Sequence, residues 1–115
     1  MQLHFRNRYH TRVYVAVMFH SPGPCGQYGG WGTRGWWAID PGREAYVLNT
    51  DNRYAAYYVE ANDGAVWAGN YGPIYVYQNA FDYCIGIGST DAKARVGCRL
   101  VDLGSYGRYY VNLTA

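Results

Sequence analysis

The chain has 115 residues, enough for one domain built around one core. Half of the residues are apolar and 16% are charged, against a usual charged share of about 25%, which excludes an intrinsically disordered chain. The net charge is +2 with nine arginines scattered along the chain, so no dense basic face for nucleic acid is expected, and no apolar run approaches the ~18 residues of a membrane-spanning helix.

No stretch keeps a helical period over a window of about 11 residues. The apolar runs are short, rich in Val, Ile, Tyr and Trp, and punctuated by Gly, Pro, Asn and Asp, which reads as all-β. Strands are predicted near 2–7, 11–20, 33–39, 43–50, 53–61, 65–69, 73–78, 83–87, 95–102 and 107–114. In the second, Val13, Val15, Val17 and Phe19 alternate with Tyr14, Ala16 and Met18. Both faces are apolar, as in a central strand covered on both sides. The segment from Ser21 to Gly35, rich in Gly and Pro, is the longest irregular stretch and a candidate functional loop. If Gly35–Ile39 is extended, Trp36 and Trp37 point to opposite faces. Turn chemistry follows at Asp40-Pro41-Gly42, Asp51-Asn52 and Asn62-Asp63-Gly64. Turns at about 10-residue spacing imply one antiparallel β-sandwich over residues 1–115 without a linker, a small β-barrel being the alternative. Its core is expected to hold Val13, Val15, Val17, Trp37, Ile39, Val47, Val59 and Val111.

Three cysteines leave one over. Cys84 and Cys98 flank a loop of Gly, Ser, Thr and Asp and form the candidate bridge between neighbouring strands, with Cys25 free or pairing between chains. The histidines His4, His10 and His20 share no spacing with Cys25 that matches a metal motif, and no metal or cofactor is expected. Cys25 sits in a Gly/Pro loop rather than at a helix N-terminus that would lower its pKa, and Ser21, Ser89 and Ser105 lack a nucleophile elbow. Asp40, Asp51, Asp63 and Asp91 fall in turns, where carboxylates bond the backbone, leaving Glu44 and Glu60 as the only glutamates. The run Gly86-Ile87-Gly88-Ser89 lacks the lysine and the helix of a phosphate loop. Catalysis is therefore not expected.

The run Gly35-Trp36-Trp37-Ala38-Ile39-Asp40-Pro41-Gly42 is the most distinctive. With Phe5-x-Asn7, Tyr57-Tyr58-Val59-Glu60-Ala61, Val66-Trp67-Ala68-Gly69 and Val111-Asn112-Leu113, it resembles the bacterial domain of unknown function 1036 family. These motifs cover nearly the whole chain. The resemblance implies a small β-rich domain, secreted or at the cell surface, and lends no catalytic residues. The chain departs from the family pattern at Arg6 and Arg43, where members often carry cysteines, and no signal peptide is visible.

The aromatic share is 18%, with 14 Tyr and 4 Trp, more rings than a core of this size hides. Tyr28, Trp31, Arg34, Trp36, Trp67, Tyr71, Tyr75 and Tyr77 are the candidate ligand or interface residues. The leading expectation is a non-enzymatic binding module for carbohydrate or a protein partner. Its rival is a subunit that associates with itself, and a small enzyme comes last.

Overall fold

A computed structural model describes residues 1–84, 94–104 and 107–114, with the side chain of Tyr28 left aside. The predicted segments 86–89 and the end of the eighth strand, with Asp91, Lys93 and Ser105, lie outside the described residues.

Strands form at all ten predicted places, the eighth being described only through Cys84: β1 (Gln2–Asn7), β2 (Val13–His20), β3 (Trp31–Ile39), β4 (Glu44–Asn49), β5 (Tyr54–Ala61), β6 (Val66–Trp67), β7 (Tyr71–Val76), β8 (Phe81–Cys84), β9 (Ala94–Asp102) and β10 (Arg108–Leu113). They make two sheets. A small sheet runs β10-β1-β4, and a large antiparallel one runs β7-β9-β5-β2-β3-β8, with β6 hydrogen-bonded to β5. The fold is an all-β sandwich whose large sheet curls. One pair departs from the antiparallel expectation, because β1 and β10 run parallel.

The curl follows from chain length. β7 and β8 lie at opposite edges of the large sheet, yet only residues 77–80 connect them. Laid flat, the six strands would put those edges roughly 24 Å apart. Four connecting residues reach at most about 18 Å. The sheet must roll until its edges approach, and it encloses a second apolar cluster as it does so.

The larger cluster fills the space between the two sheets. Val13, Val15 and Val17 meet Leu3, Phe5, Val47, Val59 and Val111 there. Ala16 and Met18, from the other face of β2, meet Ala56, Tyr58, Ile74, Val76 and Phe81 inside the curl. β2 is thus covered on both faces, as its two-sided apolar pattern requires. Every expected core residue is buried except Trp37, which is half-buried against the inter-sheet cluster.

Asn7 holds the corner between the sheets. Fully buried, it donates from Nδ2 to the carbonyls of Ile39 (2.8 Å) and Thr11 (2.9 Å), and its Oδ1 accepts from the Tyr9 amide. The Asp40-Pro41-Gly42 turn is therefore not a hairpin within one sheet. It carries the chain from β3 to β4, with Gly42 at φ 79° and its amide bonded to the Asn7 carbonyl.

The expected Cys84–Cys98 bridge is corrected. Cys25 bonds Cys84, and Cys98 is a buried free thiol. Cys84 lies on β8, paired to Gly32 of β3, whereas Cys98 lies on β9, with β5, β2 and β3 between them in the sheet order. Nearness in sequence misleads here because the chain leaves one edge of the sheet and re-enters near the other. The bridge ties the 21–30 loop to the edge strand, and that loop closes on itself through Ser21 N to Gly30 O (2.8 Å) and Gly30 N to Cys25 O (2.8 Å).

Candidate functional site

The clearest candidate surrounds Trp36, at the rim of the cluster inside the curl. Val15 faces Trp37 and Ala16 faces Gly35 across the β2–β3 ladder, so Trp36 is the extra residue of a β-bulge. It follows a cis peptide bond from Gly35. Its ring is held in place by several contacts, among them Nε1 donating to the Tyr77 carbonyl at 2.8 Å, Phe81 meeting it edge-on at 5.6 Å and Tyr58 at 6.2 Å. The two tryptophans take opposite sides, Trp36 against the curl cluster and Trp37 against the inter-sheet cluster.

Gly35 makes the close packing behind Trp36 possible. A Cβ there would stand 2.7 Å from Phe81 Cε1 and 3.3 Å from the Ala16 Cβ, both tighter than ordinary contact.

Two clefts meet at this indole. One, of about 400 Å³, is bounded by Arg34, Trp36, Trp37, Phe81 and Asp82. It opens just beyond the end of β8, which pairs with only Gly32–Gly35 of β3. Arg34 and Asp82 sit opposite each other in that ladder and form an ion pair at 3.2 Å, with the guanidinium 5.0 Å from the Phe19 ring centre. The other cleft, of about 280 Å³, is polar and lined by Tyr14, Trp36, Glu60 and Gln78. Tyr14 and Glu60 are cross-strand partners between β2 and β5. Tyr58 donates its hydroxyl to Glu60 at 3.0 Å; burial, and then that bond, push its pKa up to about 12. Tyr58 thus stays a neutral donor that orients the Glu60 carboxylate.

Of the residues singled out from sequence, Arg34 and Trp36 come together here, and Tyr77 contributes its carbonyl. Trp67 and Tyr77, also named as ligand or interface candidates, are both buried. Trp67 belongs to the inter-sheet cluster and donates Nε1 to the Thr114 carbonyl at 3.2 Å. Tyr77 packs on Phe81 at 5.1 Å and Tyr83 at 4.8 Å. Trp31 is half-buried with its ring edge-on to His20 at 5.3 Å. Tyr71 is exposed at the start of β7, and Tyr75 lies half-buried further along it, so neither joins the Trp36 clefts. The Tyr28 side chain lies outside the described residues. Tyr14, Glu60, Gln78, Phe81 and Asp82 were missed. Strand register, and for Gln78 the short link between β7 and β8, bring them beside Trp36, and the sequence states neither.

A larger depression, about 480 Å³, lies between Tyr9, Trp67, Arg99 and Asn112. Its tryptophan is buried and its Arg99 Nε is turned to the Ala68 carbonyl at 3.1 Å, so it offers a ligand less than the Trp36 clefts do. Among the described residues, no helix is long and apolar enough to cross a membrane. In comparisons with family models, characterised proteins and solved structures, nothing matches this chain.

Proposed function

We propose that the chain is a non-catalytic carbohydrate-binding module whose ligand lies across Trp36. The observation that carries this reading is one fixed indole bordering both an apolar cleft with an Arg–Asp rim and a polar cleft with a carboxylate, an amide and a phenol. A sugar ring has the matching two-sidedness, with C–H faces that rest on aromatic rings and hydroxyl edges that bond carboxylates, amides and guanidinium groups. The indole needs no reorganisation, because its N–H is already bonded and its edge already packed; binding then costs little side-chain entropy.

A glycan array followed by calorimetry on the best ligand tests the reading. Arg34→Ala and Gln78→Ala are expected to weaken binding at least about tenfold each while leaving the melting temperature within a few degrees, since each removes about one hydrogen-bonding group from the rim. An array that stays blank at high protein concentration, alongside a protein captured by pulldown that competes at Trp36, would replace carbohydrate by a protein ligand.

A further inference from the structure

The second candidate surface faces the other way, on the side of the small sheet turned from the core. Odd residues of β1, Leu3 and Phe5, enter the inter-sheet cluster, so even residues Gln2, His4 and Arg6 point outward. Register extends each into a row across three strands. Tyr46, His4 and Tyr110 form one row and Glu44, Arg6 and Asn112 the next, with Gln2 and Arg108 in the row on the other side.

Arginines scattered in sequence converge here. Arg6, Arg8 and Arg43 line one cavity of about 160 Å³, large enough for a sulfate or carboxylate group. Two of them are held in place by intramolecular bonds from Nε: Arg6 to Glu44 at 3.0 Å and Arg8 to Asn112 at 3.2 Å. The Nη groups of both carry no hydrogen bond among the described residues. Arg6 also lies 3.9 Å from the Tyr110 ring centre. Arg108 is exposed four strand residues from the Arg6 row, roughly 13 Å away. Against these four cations the face carries Glu44, and Asp40 at the adjoining turn is paired to Arg12 at 2.7 Å.

We infer that this face binds an anionic polysaccharide, one carrying sulfate or carboxylate groups along a hydroxyl-rich chain. Charge complementarity calls for a polyanion, and two cationic stations at the ends of a polar stripe suit spaced charges. The rings decide between polymers. His4 stacks between Tyr46 at 5.1 Å and Tyr110 at 4.8 Å, with interplanar angles of 28° and 29°. The stack thus covers both faces of His4 and one face of each tyrosine, and hydroxyl, amide and imidazole groups remain to meet sugar hydroxyls. The site shares no lining residue with the Trp36 clefts.

Calorimetry of the full chain with dextran sulfate, neutral dextran and a thymidine oligonucleotide tests the assignment. Dextran sulfate is expected to bind, more weakly as salt rises, with neutral dextran absent from this face. The combined Arg8→Gln, Arg43→Gln, Arg108→Gln variant, all at exposed positions, is expected to lose at least about tenfold in dextran sulfate affinity with an unchanged melting temperature. Its binding of any neutral glycan at Trp36 is expected to stay as in the parent, and loss of the Trp36 ligand by Gln78→Ala would leave dextran sulfate binding untouched. An unchanged affinity in the triple variant, no binding of dextran sulfate at low salt, or an oligonucleotide that binds more tightly would each overturn the proposal.

Discussion

The two apolar clusters share the large sheet as a common wall, yet they are built differently. The inter-sheet cluster is mostly aliphatic, with Leu3, Phe5, Val13, Val15, Val17, Val59 and Leu113 at its centre, closed by strands on both sides. The cluster inside the curl joins small residues, Ala16, Ala56 and Cys98, to rings, Tyr58, Tyr77 and Phe81, and opens at Trp36. Closed aliphatic packing serves stability. A cluster that ends in half-exposed rings trades some burial for a surface, and the candidate site lies on that side.

The largest effect should therefore come from the closed cluster. Phe5 is fully buried and meets Tyr57 edge-on at 5.2 Å. Phe5→Ala is expected to cost about 3–5 kcal/mol in chemical denaturation. Phe81→Ala removes the same atoms beside an open cleft, and about 2 kcal/mol is expected because water can fill part of the gap. Equal losses at the two positions would erase the distinction between the clusters.

Next comes the disulfide. It spans 59 residues and anchors the 21–30 loop to β8, a wall of the curl. The Cys25→Ser, Cys84→Ser double variant is expected to lose about 2–4 kcal/mol, with faster hydrogen exchange in β8 and the loop than in β1. Cys98 should resist thiol reagents in the native protein, since burial pushes its pKa up to about 12 and withholds the thiolate. Rapid labelling of Cys98 without denaturant would mean that the curl opens readily. Smaller again, Gly35→Ala should cost about 1–3 kcal/mol as Phe81 gives way, and it should weaken binding at Trp36 by moving the wall of its cleft.

The clusters also differ in how far they could be read in advance. The inter-sheet core was legible because valines alternate along β2 and Val111 and Leu113 alternate along β10, a two-residue period that points Val13, Val15, Val17, Val111 and Leu113 to one side. Two of the motifs singled out from sequence mark this frame as well. Asn7 pins the corner that Asp40-Pro41-Gly42 turns, and Trp67 ties β6 to the chain end at Thr114. The curl was not legible, because it arises from strand order and the short link between β7 and β8, neither of which leaves a local pattern. The same long-range ordering misdirected the cysteine pairing and hid Tyr14, Glu60 and Gln78. Trp67 and Tyr77 stood among the ligand or interface candidates although both are buried, because a buried aromatic and an exposed one look alike in sequence.

The smallest predicted effect concerns a tether at the end of the closed cluster. Asp63, in the β5–β6 turn, accepts from the Tyr9 hydroxyl at 2.5 Å and lies 3.2 Å from His10 Nε2. That hydroxyl, followed by the Ala65 amide, holds the Asp63 carboxyl below its ordinary value of 3.8. A depressed folded pKa contributes stability above the unfolded value, and the contribution is lost as pH falls through the folded one. Asp63→Asn should therefore lower the melting temperature slightly at pH 7, and the gap from the parent should close below about pH 4. Asp40 beside Arg12 and Asp102 beside Arg53 are shifted the same way, so the variant keeps most of the acid sensitivity of the parent. Melting curves at neutral and acid pH check this. A gap that persists unchanged into acid would mean that the Asp63 carboxylate, though bonded to Tyr9, contributes through shape alone and that the tether adds no electrostatic support to the inter-sheet core.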